Sequence, residues 1–313
     1  MGKNYGFLFF LIGVAMVTGC TSKKESNTVS EVQAPVLPGN FERAMPPAMI
    51  TVPQDRAGYL VTHFWDKFNF RDTMYCHVPN ITEQAFVDFI GLFPHASASK
   101  IPEGVKKLLD AAEVENVMYT YFCSKAEHYL YDPNSPMRND EYFIPFLEHI
   151  VNSSKVMEVY KIRPQHQLTL AYRNRIGSKA ENFTYRLASG KTGNLYGIPA
   201  KYLLLMFYNP DCTECRHTVE MLKNSTALTA GISSGNVKVL AVYPDENPEM
   251  WQKHLKDIPS AWVNGYDRSQ AVKNSELYDL KAIPTLYLLD KDKKVLLKDA
   301  SAGAIHEYLE KKQ

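Results

Sequence analysis

The sequence predicts two successive domains, the first mostly α-helical and the second a layered α/β unit whose mixed sheet is flanked by helices. Three observations carry this. Apolar residues recur at helical spacing from about residue 54 to 176, the texture changes at Gly177 to short continuous apolar runs, and those runs alternate with helical segments to the end of the chain. A chain of 313 residues with 45% hydrophobic composition can bury more than one core.

In the first domain, Ala57, Leu60, Val61, Phe64, Trp65 and Phe68 follow the i, i+3, i+4, i+7 spacing of one amphipathic helix. Phe86, Phe89, Ile90 and Phe93 follow it in a second, and Asn80 with Glu83 three residues later has the spacing of a capping box ahead of it. Val105, Leu108, Leu109 and Ala112 give a third stripe, and Met118, Tyr121, Phe122 and Tyr129 a fourth. Phe143, Phe146, Leu147 and Ile150 give a fifth, with Pro145 expected in its first turn. Aromatic stripes at this spacing read as core, so residues 51–176 are assigned to a helical domain to which no chemistry attaches. His63, His77 and His128 show no metal-ligand spacing.

The second domain spans residues 177–313. The stretch FTYRLASGKTGNLY, from Phe183 to Tyr196, reads as a hairpin turning on a Ser-Gly-Lys-Thr-Gly cluster. Tyr202 to Tyr208 is a continuous apolar run, as expected of a strand buried on both faces. A helix is expected over about 213–230, a second buried strand at Val237–Tyr243, and helical pieces near 248–257 and 269–280. Thr285–Leu289 reads as a strand, Asp290–Lys293 as a turn, Lys294–Lys298 as a further strand, and about 302–312 as a closing helix.

The N-terminal segment is read apart from the fold. Lys3 precedes the apolar stretch Phe7–Val17, which is too short to span a bilayer and has the layout of a secretory signal. It ends in Val17-Thr18-Gly19-Cys20, which resembles the bacterial lipobox. Residues 1–19 are therefore expected to be a lipoprotein signal peptide and Cys20 the lipidated residue, with enough acyl chain for stable anchoring to a membrane. Residues 20–50 are polar and proline-punctuated, the composition of a flexible tether. The chain is expected at the cell envelope, on the periplasmic side. Lys plus Arg number 35 and Asp plus Glu 34, so no basic excess points to nucleic acid.

An exported chain can keep disulfides. Four cysteines remain beyond Cys20: Cys76, Cys123, Cys212 and Cys215. The first two could be joined or could be small buried fillers. The last two stand three apart in FYNPDCTECRH and, by residue type alone, could form a redox dithiol, half of a metal site, a peroxidase centre or a structural disulfide. A zinc site would need two further ligands at workable spacing, and no second C-x-x-C exists. A Pro-x-x-x-Thr-x-x-Cys peroxidase pattern does not fit, because Pro210 lies too close to both cysteines. A structural disulfide this short would remove little chain entropy.

A buried strand, then Cys212-Thr213-Glu214-Cys215 opening a helix, a later Ile283-Pro284-Thr285 leading into a strand, a charged hairpin and a terminal helix together resemble a thioredoxin fold over residues 177–313. More closely, they resemble the exported, membrane-tethered thiol-disulfide oxidoreductases of the cytochrome-maturation type. The resemblance implies that Cys212 is the exposed nucleophile and Cys215 the buried resolving thiol. It also implies that Pro284, after Ile283, is the family's cis-proline, lying beside the dithiol and presenting backbone to an extended substrate, so that Ile283 and Pro284 are the expected substrate-binding residues. A cysteine at a helix N-terminus faces unsatisfied N–H groups that favour its thiolate. Disulfide-containing exported proteins as substrates, a membrane thiol donor, and no cofactor or metal follow from the same resemblance.

The chain departs from the family in carrying Asp211 where Trp is usual and Glu214 where strong oxidants carry His. At roughly 7 Å and an effective dielectric near 40, each carboxylate opposes the neighbouring thiolate by about 1 kcal/mol. The pair is therefore expected to serve a reductant or isomerase. The competing expectation is a non-catalytic envelope lipoprotein whose helical domain binds a protein partner and whose thioredoxin-like part is a scaffold.

Overall fold

The computed structural model describes residues 39–312. The expected signal peptide, Cys20 and the tether as far as residue 38 lie outside the described residues. The rest of the expected tether lies against the helical domain. Phe41 stacks on Trp65 at 5.5 Å between centroids and meets Phe68 edge-on at 5.1 Å, while Gly39 accepts a hydrogen bond from the Tyr75 hydroxyl at 2.9 Å.

Six helices build the first domain: α1 (Pro53–His63), α2 (Thr82–Gly91), α3 (Lys100–Ala112), α4 (Asn116–Leu130), α5 (Asp140–Asn152) and α6 (Glu158–Tyr172). Their stripes converge on one aromatic core in which Phe86, Phe89 and Phe122 are fully buried. Close approach of α1 and α3 requires Gly104. A Cβ there would lie 2.6 Å from both the Val61 side chain and the Val61 carbonyl.

Several expected boundaries move. The first stripe outlasts its helix, since α1 ends at His63 and the following i to i+3 turns carry Phe64, Trp65 and Phe68 into the core. The capping box does not form: Ile81 precedes α2, and Glu83 instead accepts from the Tyr129 hydroxyl at 2.8 Å and pairs with Lys125 at 2.7 Å. Pro145 sits inside α5 beyond its first turn, because the helix starts earlier than its stripe, at Asp140, after Asn139, whose side chain caps the Glu141 and Tyr142 amides. Helix α6 carried no stripe to read. It buries only Gln167, Leu168, Leu170 and Ala171 and leaves Val159, Tyr160 and Ile162 exposed.

The second domain is built on seven strands, β1 (Thr184–Leu187), β2 (Thr192–Asn194), β3 (Tyr202–Phe207), β4 (Val237–Tyr243), β5 (Val263–Tyr266), β6 (Thr285–Asp290) and β7 (Val295–Lys298). They form one sheet in the order β2-β1-β5-β4-β3-β6-β7. Strands β3, β4 and β5 run parallel, and the remaining pairings are antiparallel. The helices are α7 (Thr213–Lys223), α8 (Thr226–Ser233), α9 (Pro248–Lys253), α10 (Ala271–Asn274) and α11 (Ala302–Glu310).

Alternation along β3 divides it between two cores. Leu204 and Met206 face the layer that holds Val219, Leu228 and Ile305, while Leu203, Leu205 and Phe207 face Val272, Tyr278 and Tyr287. The helix expected over 213–230 is two helices, because Ser225 interrupts it and caps α8 through the Leu228 amide. Strand β5 was not anticipated. It is only four residues long, and its Gly265 lies beneath Tyr185, where a Cβ would come within 2.8 Å of the ring. Of the helix expected near 269–280, only Ala271–Asn274 forms. Glu276 turns left-handed at φ 48°, and the chain runs on to the Ile283-Pro284 bond without further helix.

Candidate functional site

Strand β3 aims the chain at the site, and the last backbone bond of its run is from the Tyr208 amide to the Val242 carbonyl at 3.0 Å. Asn209 then organises the turn. Its Oδ1 accepts from the Asp211 amide at 2.9 Å, its carbonyl accepts from the Cys212 amide at 3.1 Å, and its Nδ2 donates to Asp245 at 2.8 Å. Asp245 is in turn paired with Lys273. Arg216 closes the turn from the helix side, donating to the Pro210 carbonyl at 2.8 Å and to Thr213 Oγ1 at 3.0 Å.

Cys212 occupies the N-cap position of α7 with extended backbone, φ −81° and ψ 118°. Its Sγ accepts the Cys215 amide hydrogen at 3.1 Å, standing where a Ser or Asp oxygen usually stands. The same thiol reaches the Ile283 carbonyl at 3.4 Å, next to the Ile283-Pro284 peptide bond, which is cis. Cys212 is half-buried, whereas Cys215 is 1% exposed and its Sγ takes the Asn209 amide hydrogen at 3.5 Å. Burial, then its contact with Cys212, pushes the Cys215 thiol well up. The two sulfurs are thus unlike: one is accessible at a helix N-terminus, the other enclosed beside it.

The structure brings Cys212, Cys215, Ile283 and Pro284 together although 68 residues separate Cys215 from Ile283 in sequence. Asp211 and Glu214 flank Cys212 and are both exposed, so their fields reach the sulfur through water. Sequence reasoning missed Asn209, Asp245 and Lys273. The Asn-Pro-Asp turn was the available signal for Asn209, but its partners come from distant loops. A cavity of about 290 Å³ opens beside the enclosed sulfur, bounded in part by Tyr208, Cys215, Arg216 and Asp257. Tyr208 and Trp251 both donate to Asn264 Oδ1, at 2.9 and 2.8 Å.

Cys76 and Cys123 lie apart. Cys76 meets Met118 Sδ at 3.7 Å, whereas Cys123 projects from another side of α4 beside Tyr119, where burial pushes its thiol up to about 12. Both are small fillers of the helical domain and do not form a pair. Among the described residues, no group of three or more His, Cys, Asp or Glu could hold a metal ion, and no helix is long and apolar enough to cross a membrane.

Fold and site together define a thioredoxin-like domain joined to a helical one. A domain of unknown function, DUF5106, matches residues 18–174, and a thioredoxin-like family matches residues 200–295. A thioredoxin-like protein from Bacteroides caccae, known from a crystal structure, is 47% identical, with 88% of this chain and 99% of that chain covered and a TM-score of 0.85. The C-terminal domain of an uncharacterized protein from Bacteroides fragilis is 50% identical over 44% of this chain and 98% of its own, with a TM-score of 0.43. The thioredoxin domain of a thiol-disulfide oxidoreductase from Bacteroides vulgatus is 25% identical over 44% of this chain and 96% of its own, with a TM-score of 0.40. No curated protein matches. The chain belongs to the thioredoxin-like family, in a form that carries a DUF5106 domain ahead of the thioredoxin-like one.

Proposed function

We propose that the protein is a thiol-disulfide oxidoreductase of the cell envelope, anchored by lipid on Cys20, that reduces or isomerises disulfides of exported proteins. The observation that carries the redox reading is the pairing of an accessible N-cap sulfur with an enclosed one, Cys212 Sγ to Cys215 N–H at 3.1 Å, opposite the Ile283 carbonyl. The location rests on the N-terminal apolar stretch and Val17-Thr18-Gly19-Cys20.

In this cycle the Cys212 thiolate attacks one sulfur of a substrate disulfide, forming a mixed disulfide and releasing the other substrate sulfur as a thiolate. Cys215, losing its proton, attacks the Cys212 sulfur. The second substrate thiolate leaves, and Cys212 and Cys215 are left joined and oxidised by two electrons. A dithiol donor at the membrane restores the pair by the same exchange in reverse. Enclosure of Cys215 defers the second attack until Cys212 has become electrophilic, since a buried thiol ionises with difficulty in the resting state.

Insulin reduction by the reduced full chain tests this directly. Wild type is expected to be active, Cys212→Ser inactive, and Cys215→Ser to accumulate a mixed disulfide. Equal inactivity of wild type and Cys212→Ser would replace catalysis with a scaffold role.

A further inference from the structure

The loop that ends at the site is held from outside its own domain. Lys281 stands two residues before Ile283, and its side chain is 3% exposed. Its Nζ lies 2.9 Å from Asp140 Oδ1 at the start of α5, 3.0 Å from Asp279 and 3.7 Å from Asp299, over the face of the Tyr131 ring at 4.7 Å. The other Asp140 oxygen is 2.8 Å from Lys298 Nζ at the end of β7, and Lys298 also donates to the carbonyls of Ala171 and Arg173. Arg138 completes the set on Asp299 at 2.9 Å. Three cations and three carboxylates, contributed by both domains, therefore share one buried, formally neutral cluster.

The approach to Lys281 is clamped by the same domain. Arg173 donates to the Ser275 carbonyl at 2.6 Å and to that of Glu276, Asn174 to the Leu277 carbonyl at 2.8 Å, and His166 contacts Glu276 at 2.8 Å. Residues 275–281 form no helix or strand of their own. Tyr278, buried against Phe207 and Tyr287 and donating to the Glu181 carbonyl at 2.6 Å, holds the middle of the segment in its own domain. The contacts from α5, from α6 and from the residues just past α6 hold the segment on either side. Its far end is the Ile283 carbonyl, 3.4 Å from Cys212 Sγ.

We propose that the helical domain is a positioning element of the thiol site, with Asp140 fixing Lys281 and thereby setting the Ile283-Pro284 backbone against Cys212. This rests on the reading of Cys212 and Cys215 as a redox pair. The consequence falls on extended protein substrates, whose backbone must lie along residues 283–284 while the disulfide meets Cys212. A small reagent that needs only the sulfur is unaffected.

The test uses the reduced full chain with Cys215→Ser as the parent, which keeps the mixed disulfide that Cys215 would otherwise resolve, alone and with Asp140→Asn or Arg173→Gln added. Two rates are compared at one pH: alkylation of Cys212 by iodoacetamide, and mixed-disulfide formation with a short peptide whose cysteine is joined to glutathione. Asp140→Asn is expected to slow the peptide reaction by about tenfold, and Arg173→Gln by about threefold, with alkylation within about twofold of the parent. General destabilisation would not split the two rates in the folded protein.

Hydrogen exchange of the 275–283 peptide, in which the Leu277 amide is bonded to the Val272 carbonyl at 3.0 Å, is expected to quicken in both variants while β3 and β4 stay protected. If Asp140→Asn fails to fold, Arg173→Gln decides. An unsplit pair of rates together with unchanged exchange in the folded variants overturns the proposal. If the Cys215→Ser parent forms no mixed disulfide at all, the redox reading fails instead, and exchange alone then upholds or overturns the positioning role.

Discussion

Asp140→Asn tests how much of the protein's stability resides in the buried charge cluster. The substitution keeps shape and one acceptor oxygen, but it turns a set of three cations and three anions into one with a net positive charge among side chains only 3–5% exposed at Asp140, Lys281 and Lys298. Removing one partner from a buried ion set costs about 3–5 kcal/mol, because the remaining charges stay desolvated. At roughly 2–4 °C per kcal/mol, the expected loss in Tm is roughly 6–20 °C.

The pH dependence has a definite sign. Burial raises the Asp140 carboxyl, but Lys281 and Lys298 outweigh it and hold it below the usual carboxylate range. A depressed carboxyl stabilises the fold above its unfolded value, about 3.9, and loses that contribution as pH falls through the folded value. The gap between wild type and Asp140→Asn should therefore be constant from about pH 5 to 8 and close below about pH 4. Asp299, which burial raises, works in the opposite direction, and because the Asp140 charge is among the influences that raise it, the substitution lessens that opposition. Thermal and urea unfolding followed by circular dichroism measure the gap. A difference under about 1 kcal/mol at neutral pH, or one that widens on acidification, would refute the argument.

Gly104→Ala should destabilise the helical domain by about 1–3 kcal/mol, read as a lower urea midpoint, since its Cβ would meet backbone at 2.6 Å where α1 and α3 cross. Alkylation of the native, reduced protein at pH 8 should modify Cys212 first and leave Cys123 and Cys215 untouched until the chain is unfolded, as mass spectrometry of timed digests would show. Modification of Cys215 ahead of Cys212 would contradict the assigned roles.

The sequence made the sheet legible where burial is two-sided. Tyr202–Tyr208 and Val237–Tyr243 read as strands because the runs are apolar almost throughout, Lys238 being the one charged and exposed position in the second. It failed where an element is fixed by partners far along the chain. β5 has four residues and one glycine and exists because β4 and β1 pair with it, and α6 shows no helical period because its first half exposes Val159, Tyr160 and Ile162 while only its last turns are buried. In the site, the strand-to-helix junction was readable from local pattern, whereas the Ile283-Pro284 pair was placed beside the dithiol only by the family resemblance. Asp140 and Lys281 were not, because 141 residues separate them and each alone reads as a surface charge. Asp211 and Glu214 stand where expected, but a linear string cannot show that both face water.

The N-cap sulfur of Cys212 gives α7 a fastening that the proposed chemistry would alter. An ordinary cap is inert, whereas a sulfur joined to a covalent partner would be a poorer acceptor, and the first turn of α7 would then hold the Cys215 amide less firmly. In the proposed cycle the order of that turn would follow the chemical state of Cys212, loosened on attack and restored on release. The amide concerned belongs to Cys215, so the event that would make Cys212 open to attack would also loosen the hold on its proposed attacker.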